Sequence, residues 1–138
     1  MAVDVGVADL VRSYVCLRDA ASHANGDPAQ LLLFYGVECG LKAACLGKNG
    51  RNARSTRDLP EDLRKHDLRR LAKELRLDGG LADRLLACRR RHGNEHRVDH
   101  QDLHQAWRYG AALHADDEKQ AVQALHDLSE WCRKEHNR

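Results

Sequence analysis

The sequence predicts an all-α protein, and three observations lead to this prediction. Apolar residues recur at helical spacing along most of the chain, and Gly, Asn and Pro separate the segments. Aromatic residues amount to only 4% of the sequence, so the core must consist mainly of Leu, Ala and Val, which suits packed helices better than a β-sandwich. A chain of 138 residues can bury one core without disulfide support. We therefore expect residues 1–138 to form a single domain, an up-and-down bundle of four to six helices.

The first two helices follow from the N-terminal part of the chain. Leucine, valine and tyrosine at helical spacing predict a helix over 7–24, which an Asn-Gly pair ends. Asp27 and Pro28 then predict the start of a second helix over 28–46, with Asp27 as N-cap and Pro28 at the first helical position. Gly47 stands where the residue after a helix end is expected. This second helix is the most apolar segment, so we expect it to be central.

A basic loop at 47–57 precedes the remaining predicted helices. Leucines at helical spacing predict a third helix over 59–75, opened by Leu-Pro-Glu and closed by Asp-Gly-Gly. A fourth helix at about 81–92 would bury two leucines and a cysteine. A short helix at about 101–113 and a last helix at 116–135 follow, and the last has an acidic first turn and a basic final turn that match the helix dipole. No stretch shows the alternation of a strand.

The cysteines indicate a reducing compartment. Their number is odd, none forms a Cys-X-X-Cys pair, and no signal peptide precedes them. Three of them stand among apolar neighbours and are interpreted as small core residues. No apolar run approaches the roughly 18 residues that a membrane span needs. We therefore expect a soluble, cytoplasmic protein with no membrane partner. The five cysteines are Cys16, Cys39, Cys45, Cys88 and Cys132.

The net charge of +2 hides an uneven distribution. Residues 1–40 carry two basic and five acidic side chains, and residues 109–138 carry four and six. Residues 41–108 carry 17 basic and 10 acidic side chains, a local charge of +7. Positive charge concentrated in the middle of a chain is typical of a site for an anionic partner such as RNA or a nucleotide. The alternative is a solvated, arginine-rich helix face.

Three motifs, in this order, resemble the HEPN domain family. They are "FYGVECGLKAACLGKNG", then "KHDLRRLAKEL", then "AWRYGAAL" with its Arg-Tyr pair. The resemblance spans roughly residues 8–135. It implies a helical bundle that usually dimerises. Many members of the family are metal-independent ribonucleases of the toxin or defence type that carry Arg-X(4–6)-His, whereas others lack nuclease activity and partner nucleotidyltransferase domains or bind nucleotides.

The stretch "RHGNEH", from Arg91 to His96, fits the ribonuclease motif of the family. Six Arg–His pairs in the chain have an allowed spacing, so spacing alone does not discriminate between them. On an unbroken helix, residues five apart diverge by about 140° and could not act together. Gly93 and Asn94 can break the helix after Arg91 and fold His96 back towards its guanidinium group. We therefore expect Arg91 and His96 to form the pair, at the end of the fourth helix.

The residue types suit cleavage of RNA by its own 2′-hydroxyl. Histidine moves protons near neutral pH, and arginine clamps phosphoryl oxygens with two parallel hydrogen bonds. We assign proton transfer to His96 and the phosphate clamp to Arg91, with no metal and no cofactor, because the nucleophile belongs to the substrate. A homodimer would bring two such pairs into one cleft, and a cognate antitoxin or nucleotidyltransferase could be a partner. The expected phosphate- and RNA-binding residues are Arg89, Arg90, His92, Asn94, Arg97 and Arg108.

Two other interpretations stay open. Histidines recur every four residues at His92, His96, His100 and His104, which is the spacing of helical zinc ligands. A glycine and a Val-Asp pair interrupt this series, so we do not predict a metal site. The other alternative for the motif is an arginine-rich helix end with histidines that compensate the dipole.

Polar residues on other predicted helices have simpler interpretations. Glu38 in the apolar helix is interpreted as the partner of Lys42, four residues away, or of another polar group of the bundle, and not as a catalytic residue. His66 is interpreted as a locally hydrogen-bonded helix-start residue that could face the basic cleft. The Arg108-Tyr109 pair could support the cleft or a subunit contact.

Overall fold

The computed structural model describes residues 3–48, 54–78, 80–92 and 96–137. Over these ranges the protein is mostly helical, which confirms the predicted all-α class. Buried apolar residues from every helix form one contiguous core. The five α-helices are α1 (Val7–Ser22), α2 (Gly26–Lys48), α3 (Leu68–Glu74), α4 (Leu103–Tyr109) and α5 (Ala115–His136), and the strands β1 (Cys88–Arg89) and β2 (Arg97–Val98) form a two-stranded antiparallel sheet.

Helix α2 is central, as its apolar sequence predicted. It packs against each of the other four α-helices, and Leu33 to Leu46 hold most of its buried side chains. By length and composition this 23-residue helix could also cross a membrane, since its most apolar window has a mean hydropathy of 1.3. That window is 56% buried inside the protein, which is the behaviour of a core helix.

The crossing of α1, α2 and α5 depends on a glycine. A Cβ atom added at Gly40 would lie 2.7 Å from Cys132 Sγ and 3.2 Å from Tyr14 Cδ1. Tyr14 in turn donates its hydroxyl proton to the backbone oxygen of Ser129, at 2.7 Å, in a buried hydrogen bond between α1 and α5. The three helices therefore approach closely only because position 40 has no side chain.

The predicted third helix begins too early. Residues 59–75 contain a 3-10 turn at Glu61–Leu63 and a non-helical stretch before α3, which begins at Leu68. Asp67 is the residue that starts the helix, because its side chain accepts a hydrogen bond from the Arg70 backbone N–H at 3.0 Å. The leucines of the 3-10 turn and of α3 are still buried, so the apolar pattern predicted burial correctly and the helix start wrongly.

The predicted fourth helix over 81–92 is wrong, and so is the expectation that the chain lacks strands. A 3-10 turn at Leu81–Arg84 is followed by extended backbone, and β1 pairs with β2. On its other edge, the Arg91 backbone N–H donates to the Ala112 oxygen at 3.0 Å, and that of His114 donates to the Arg89 oxygen at 2.8 Å. Backbone partners on both sides satisfy this segment without a helix.

The other helix ends differ from prediction by a few residues. Helix α2 includes Gly47 and ends at Lys48, so Gly47 does not terminate it. Helix α4 ends at Tyr109, four residues before the predicted end, because Gly110 adopts a left-handed conformation with φ of 71°. The Ala111 backbone N–H then donates to the Ala106 oxygen at 2.9 Å, which closes the helix end.

The five cysteines are free thiols. Cys45, Cys88 and Cys132 are buried, Cys39 is partly buried and Cys16 is exposed. Burial raises the pKa of the Cys45 thiol to about 11 and that of Cys88 to about 12. These buried thiols are small core residues in the protonated form, as predicted for Cys45 and Cys88.

Replacing Gly40 by alanine tests the close approach of the helices. We expect Gly40→Ala to lower the free energy of unfolding by about 1–3 kcal/mol, because the added methyl group meets Cys132 and Tyr14 in a packed core. Gly47→Ala is the matched control in the same helix, since nothing lies within 4 Å of its added Cβ. This control should be neutral or more stable by about 0.5 kcal/mol. Urea unfolding of both variants gives the comparison, and equal stability would contradict the packing argument.

Candidate functional site

The predicted catalytic segment is a hairpin and not a helix end. In its register Cys88 pairs with Val98 and Arg89 with Arg97. One step further, the Arg90 backbone N–H donates to the His96 oxygen at 3.4 Å. The strands on either side of the motif therefore run in opposite directions. Asn94, one of the predicted RNA-binding residues, lies outside the described residues.

The hairpin register brings His96 opposite Arg90 and not opposite Arg91. Because side chains that pair across two strands share a face, Arg89 and Arg97 lie on one face, and Arg90 and His96, one step beyond the strands, lie on the other. Arg91 lies in the bend that follows Arg90. Among the described residues, no hydrogen bond or ion pair joins the side chains of Arg91 and His96. Both side chains are exposed, so each can meet a ligand from solvent.

Arg89 fixes the hairpin to the first turn of α5. Its Nε donates to Asp117 Oδ2 at 2.9 Å, its Nη2 donates to Oδ1 at 3.1 Å, and its backbone N–H also donates to Oδ2 at 2.9 Å. These hydrogen bonds hold the pKa of Asp117 well below its usual range. A phosphate on Arg89 would have to compete with this carboxylate, so Arg89 differs from the other predicted RNA-binding arginines.

A groove of about 560 Å³ lies beside the hairpin. His100, at its edge, has a buried Nδ1 atom that lacks a hydrogen-bond partner among the described residues and lies 3.7 Å from Asp67 Oδ1. Burial lowers the pKa of His100, which keeps the ring neutral near pH 7. The groove lining combines arginine, acidic and amide side chains, namely Arg69, Arg89, Arg97, Asp99, Asp117 and Gln120, with Leu86, Ala87 and His100.

A second polar centre surrounds Glu38 of α2. The side chain of Glu38 is 11% exposed, and both carboxylate oxygens are engaged. Lys42 Nζ donates to Oε2 at 2.9 Å, and His66 Nδ1 donates to Oε1 at 2.6 Å. Burial raises the pKa of Glu38, but the hydrogen bond from His66 and the charge and hydrogen bond of Lys42 outweigh burial and lower it. Glu38 is therefore a buried carboxylate between two cationic groups.

His66 connects this buried centre to α4 and to solvent. Its ring lies 4.6 Å from the ring of His104, centroid to centroid, and its side chain is 52% exposed. The hydrogen bond to Glu38 raises the pKa of His66, whereas burial and the neighbouring His66 lower the pKa of His104. The pKa values of these two neighbouring histidines are therefore shifted in opposite directions, and their rings are tilted by 50° to each other. Tyr35 completes the cluster, with its hydroxyl oxygen 3.5 Å from His104 Nδ1.

The histidine series does not lie on one helix. His92 and His96 are on the hairpin, whereas His104 is on α4 and His100 is in the 3-10 turn that precedes α4. Within the described ranges, no group of three His, Cys, Asp or Glu side chains is arranged to hold a metal ion.

Comparison of the chain with family models, with curated proteins and with solved structures gives no match. The resemblance to HEPN domains therefore stays a prediction from the three sequence motifs.

Sequence reasoning missed the contact between Glu38 and His66. His66 was expected to bond locally, and Glu38 was expected to pair with Lys42 or with another polar group of the bundle that was not identified. The two residues are 28 positions apart, but each belongs to one of the motifs on which the family resemblance was based. The presence of both residues in these motifs was the sequence feature from which their contact could have been predicted.

The Glu38–His66 contact makes stability depend on pH. Since the pKa of His66 is raised above 6.5, its stabilisation is fully present below pH 6.5 and is lost as the pH rises through the raised value. We expect the free energy of unfolding to fall over this window in the wild type, and the fall to be smaller in His66→Gln. His126→Gln, a change at an exposed histidine of α5, should keep the wild-type profile. Urea unfolding at several pH values measures this, and identical profiles for His66→Gln and wild type would contradict the assignment.

Proposed function

We propose that this chain is a HEPN-like helical module that acts on RNA, with the hairpin as its phosphate-binding surface. One observation carries the proposal. Arg90, Arg91 and Arg97 are exposed on one short hairpin, and none of the three has a carboxylate partner among the described residues. His92 and His96 are exposed on the same hairpin. Exposed guanidinium groups without internal partners suit the bidentate recognition of phosphate.

The activity that we propose is metal-independent cleavage of RNA. A histidine accepts the proton of a 2′-hydroxyl, the oxygen attacks the adjacent phosphorus, and the bond from phosphorus to the 5′ oxygen breaks. The leaving oxygen takes up a proton, and the products are a 2′,3′-cyclic phosphate and a 5′-hydroxyl. His96 is our proton-transfer group and Arg91 the phosphate clamp, with Arg90, His92 and Arg97 on flanking phosphates.

A homodimer is part of this proposal. Among the described residues no hydrogen bond or ion pair joins the side chains of Arg91 and His96 within one copy, so we expect a substrate to meet both groups where two copies face each other. Two copies would also supply one histidine as base and one as acid. A cognate antitoxin or nucleotidyltransferase would be the partner of such a dimer in a toxin or defence system.

Cleavage of a fluorophore–quencher oligoribonucleotide in the presence of EDTA tests the catalytic assignment. We expect His96→Ala to lower the rate by about 10²- to 10⁴-fold, because the proton-transfer group is removed. Arg91→Ala should also lower the rate, and His126→Ala on α5 is the matched control that should leave it unchanged. Full activity in His96→Ala would refute the role of this histidine.

A non-catalytic nucleotide-binding module is the second candidate. The groove beside the hairpin favours it, because about 560 Å³ falls in the range of small-ligand sites. Arg97 lines this groove as well as the hairpin surface, so it would contact the nucleotide phosphates.

Titration with ATP and GTP by calorimetry tests the second candidate. We expect binding that Arg97→Glu weakens by at least about tenfold, since charge reversal replaces an attractive contact by a repulsive one. Arg57→Glu is the control, because Arg57 is an exposed arginine of the 3-10 turn at Thr56–Asp58 that does not line the groove. Absence of nucleotide binding in the wild type would eliminate this candidate.

A further inference from the structure

The carboxylate of Glu38 leaves one edge of the His66 ring available to a ligand. Nδ1 is committed to Glu38 Oε1, so Nε2 is the ring nitrogen that remains, on a side chain that is 52% exposed. Lys42 cannot replace His66 at this surface, because its ammonium group is buried and bonded to Glu38 and to the Arg64 backbone oxygen, at 2.9 and 3.2 Å. His66 is therefore the group through which this buried centre presents positive charge.

Helix α4 adds a cation and an aromatic ring next to His66. Arg108 is exposed and lies one turn after His104, whose ring packs against the His66 ring. The charge of Arg108 lowers the pKa of His66. The Tyr109 side chain follows, and this residue is 75% exposed, unlike Trp107, which is buried. The guanidinium carbon of Arg108 lies 6.0 Å from the centre of the Tyr109 ring. A large exposed ring beside an exposed arginine is the combination with which proteins hold unpaired nucleotides.

This surface continues into the hairpin. Tyr109 precedes the turn at Gly110, and three residues later the Ala112 oxygen accepts the backbone N–H of Arg91 at 3.0 Å. Three Cα steps span at most about 11 Å, so the Tyr109 Cα lies within about 11 Å of the Cα of Ala112, which is hydrogen-bonded to the hairpin. This separation is short enough for one RNA strand to contact both the hairpin arginines and Tyr109.

We propose that His66, Arg108 and Tyr109 bind one nucleotide of a single-stranded RNA, with its base stacked on Tyr109 and its phosphate held by Arg108 and His66. The proposal rests on the RNA-acting function and adds a second contact region to the hairpin. It assigns Glu38 the role of a positioning residue, which fixes the His66 ring through a hydrogen bond to Nδ1 and favours its protonated form. The base-stacking contact is specific for unpaired bases, because paired bases do not expose their faces to Tyr109.

The groups that face His66 determine how this contact responds to pH. Glu38 favours the protonated ring, and Lys42 and Arg108 oppose it. The His104 ring packs against the His66 ring, and the centre of the Tyr35 ring lies 6.2 Å from the centre of the His66 ring. A protonated His66 donates to phosphate from Nε2 and carries a charge, whereas in the neutral ring Nδ1 keeps the proton that Glu38 accepts, so Nε2 can only accept a hydrogen bond. RNA affinity should therefore decrease as the pH rises through the raised pKa of His66.

Fluorescence anisotropy with a labelled single-stranded octauridylate tests this contact region. We expect Tyr109→Ala to weaken binding by about 5- to 100-fold, the range for loss of one stacked base, and Tyr109→Phe to retain the wild-type affinity. His66→Gln should weaken binding less and should reduce the change in affinity between about pH 6 and pH 8. Val3→Ala is the control, since Val3 is also an exposed apolar residue but belongs neither to the hairpin nor to the lining of the groove. Thermal unfolding of each variant verifies that it is folded.

The binding assay distinguishes an error in this contact region from an error in the RNA-acting function. If the wild type does not bind the oligonucleotide, both proposals are wrong. If charge reversal at Arg90, Arg91 and Arg97 abolishes binding while Tyr109→Ala and His66→Gln bind as the wild type does, the RNA-acting function stands and this contact region is refuted. An equal loss of affinity for a blunt RNA duplex in Tyr109→Ala would also refute the stacking assignment.

Discussion

A carboxylate buried in the central helix constrains the rest of this structure. Burial disfavours the charged form of Glu38, so the folded state requires cationic partners close to it. Lys42 belongs to the same helix as Glu38, but His66 belongs to the turn before α3. The hydrogen bond from His66 to Glu38 therefore holds that turn against α2. His104 then packs on His66, which brings α4 against the same surface. One buried charge therefore helps to set the positions of α2, α3 and α4.

The sequence predicted the long helices well, because the residue patterns that determine them lie within each helix. Helices α1, α2 and α5 carry continuous apolar stripes, and α5 also has acidic and basic ends that match its dipole. The segment 81–92 carried a similar apolar spacing but forms a turn and a strand. Its conformation is set by partners distant in sequence, since Arg89 bonds to Asp117 and Arg91 to Ala112. No helical pattern within twelve residues contains that information.

The candidate site was predictable in residue type and not in geometry. The motif from Arg91 to His96 selected an exposed basic segment with a chain reversal, and the structure has both features. Whether Arg90 or Arg91 stands opposite His96 depends on strand register, which follows from the pairing of Arg89 with Arg97 and not from spacing. Likewise, the contact of His66 with Glu38 joins the turn before α3 to α2, which is distant in sequence, so the local pattern around His66 indicated only a helix start.

The arginines of the hairpin divide into one that fixes the backbone and three that are exposed to solvent. The Arg89 side chain donates its hydrogen bonds to Asp117 in the first turn of α5, which attaches the hairpin to a 22-residue helix. Because that attachment already orders the backbone, Arg90, Arg91 and Arg97 are presented from a fixed position. Binding a phosphate then costs mainly the side-chain freedom of these three residues and not the ordering of a loop. His66 follows the same principle, since a buried carboxylate fixes its ring before any ligand arrives. In both places an acidic residue holds one basic group in position, and the positive charge beside it is left available to an anionic ligand.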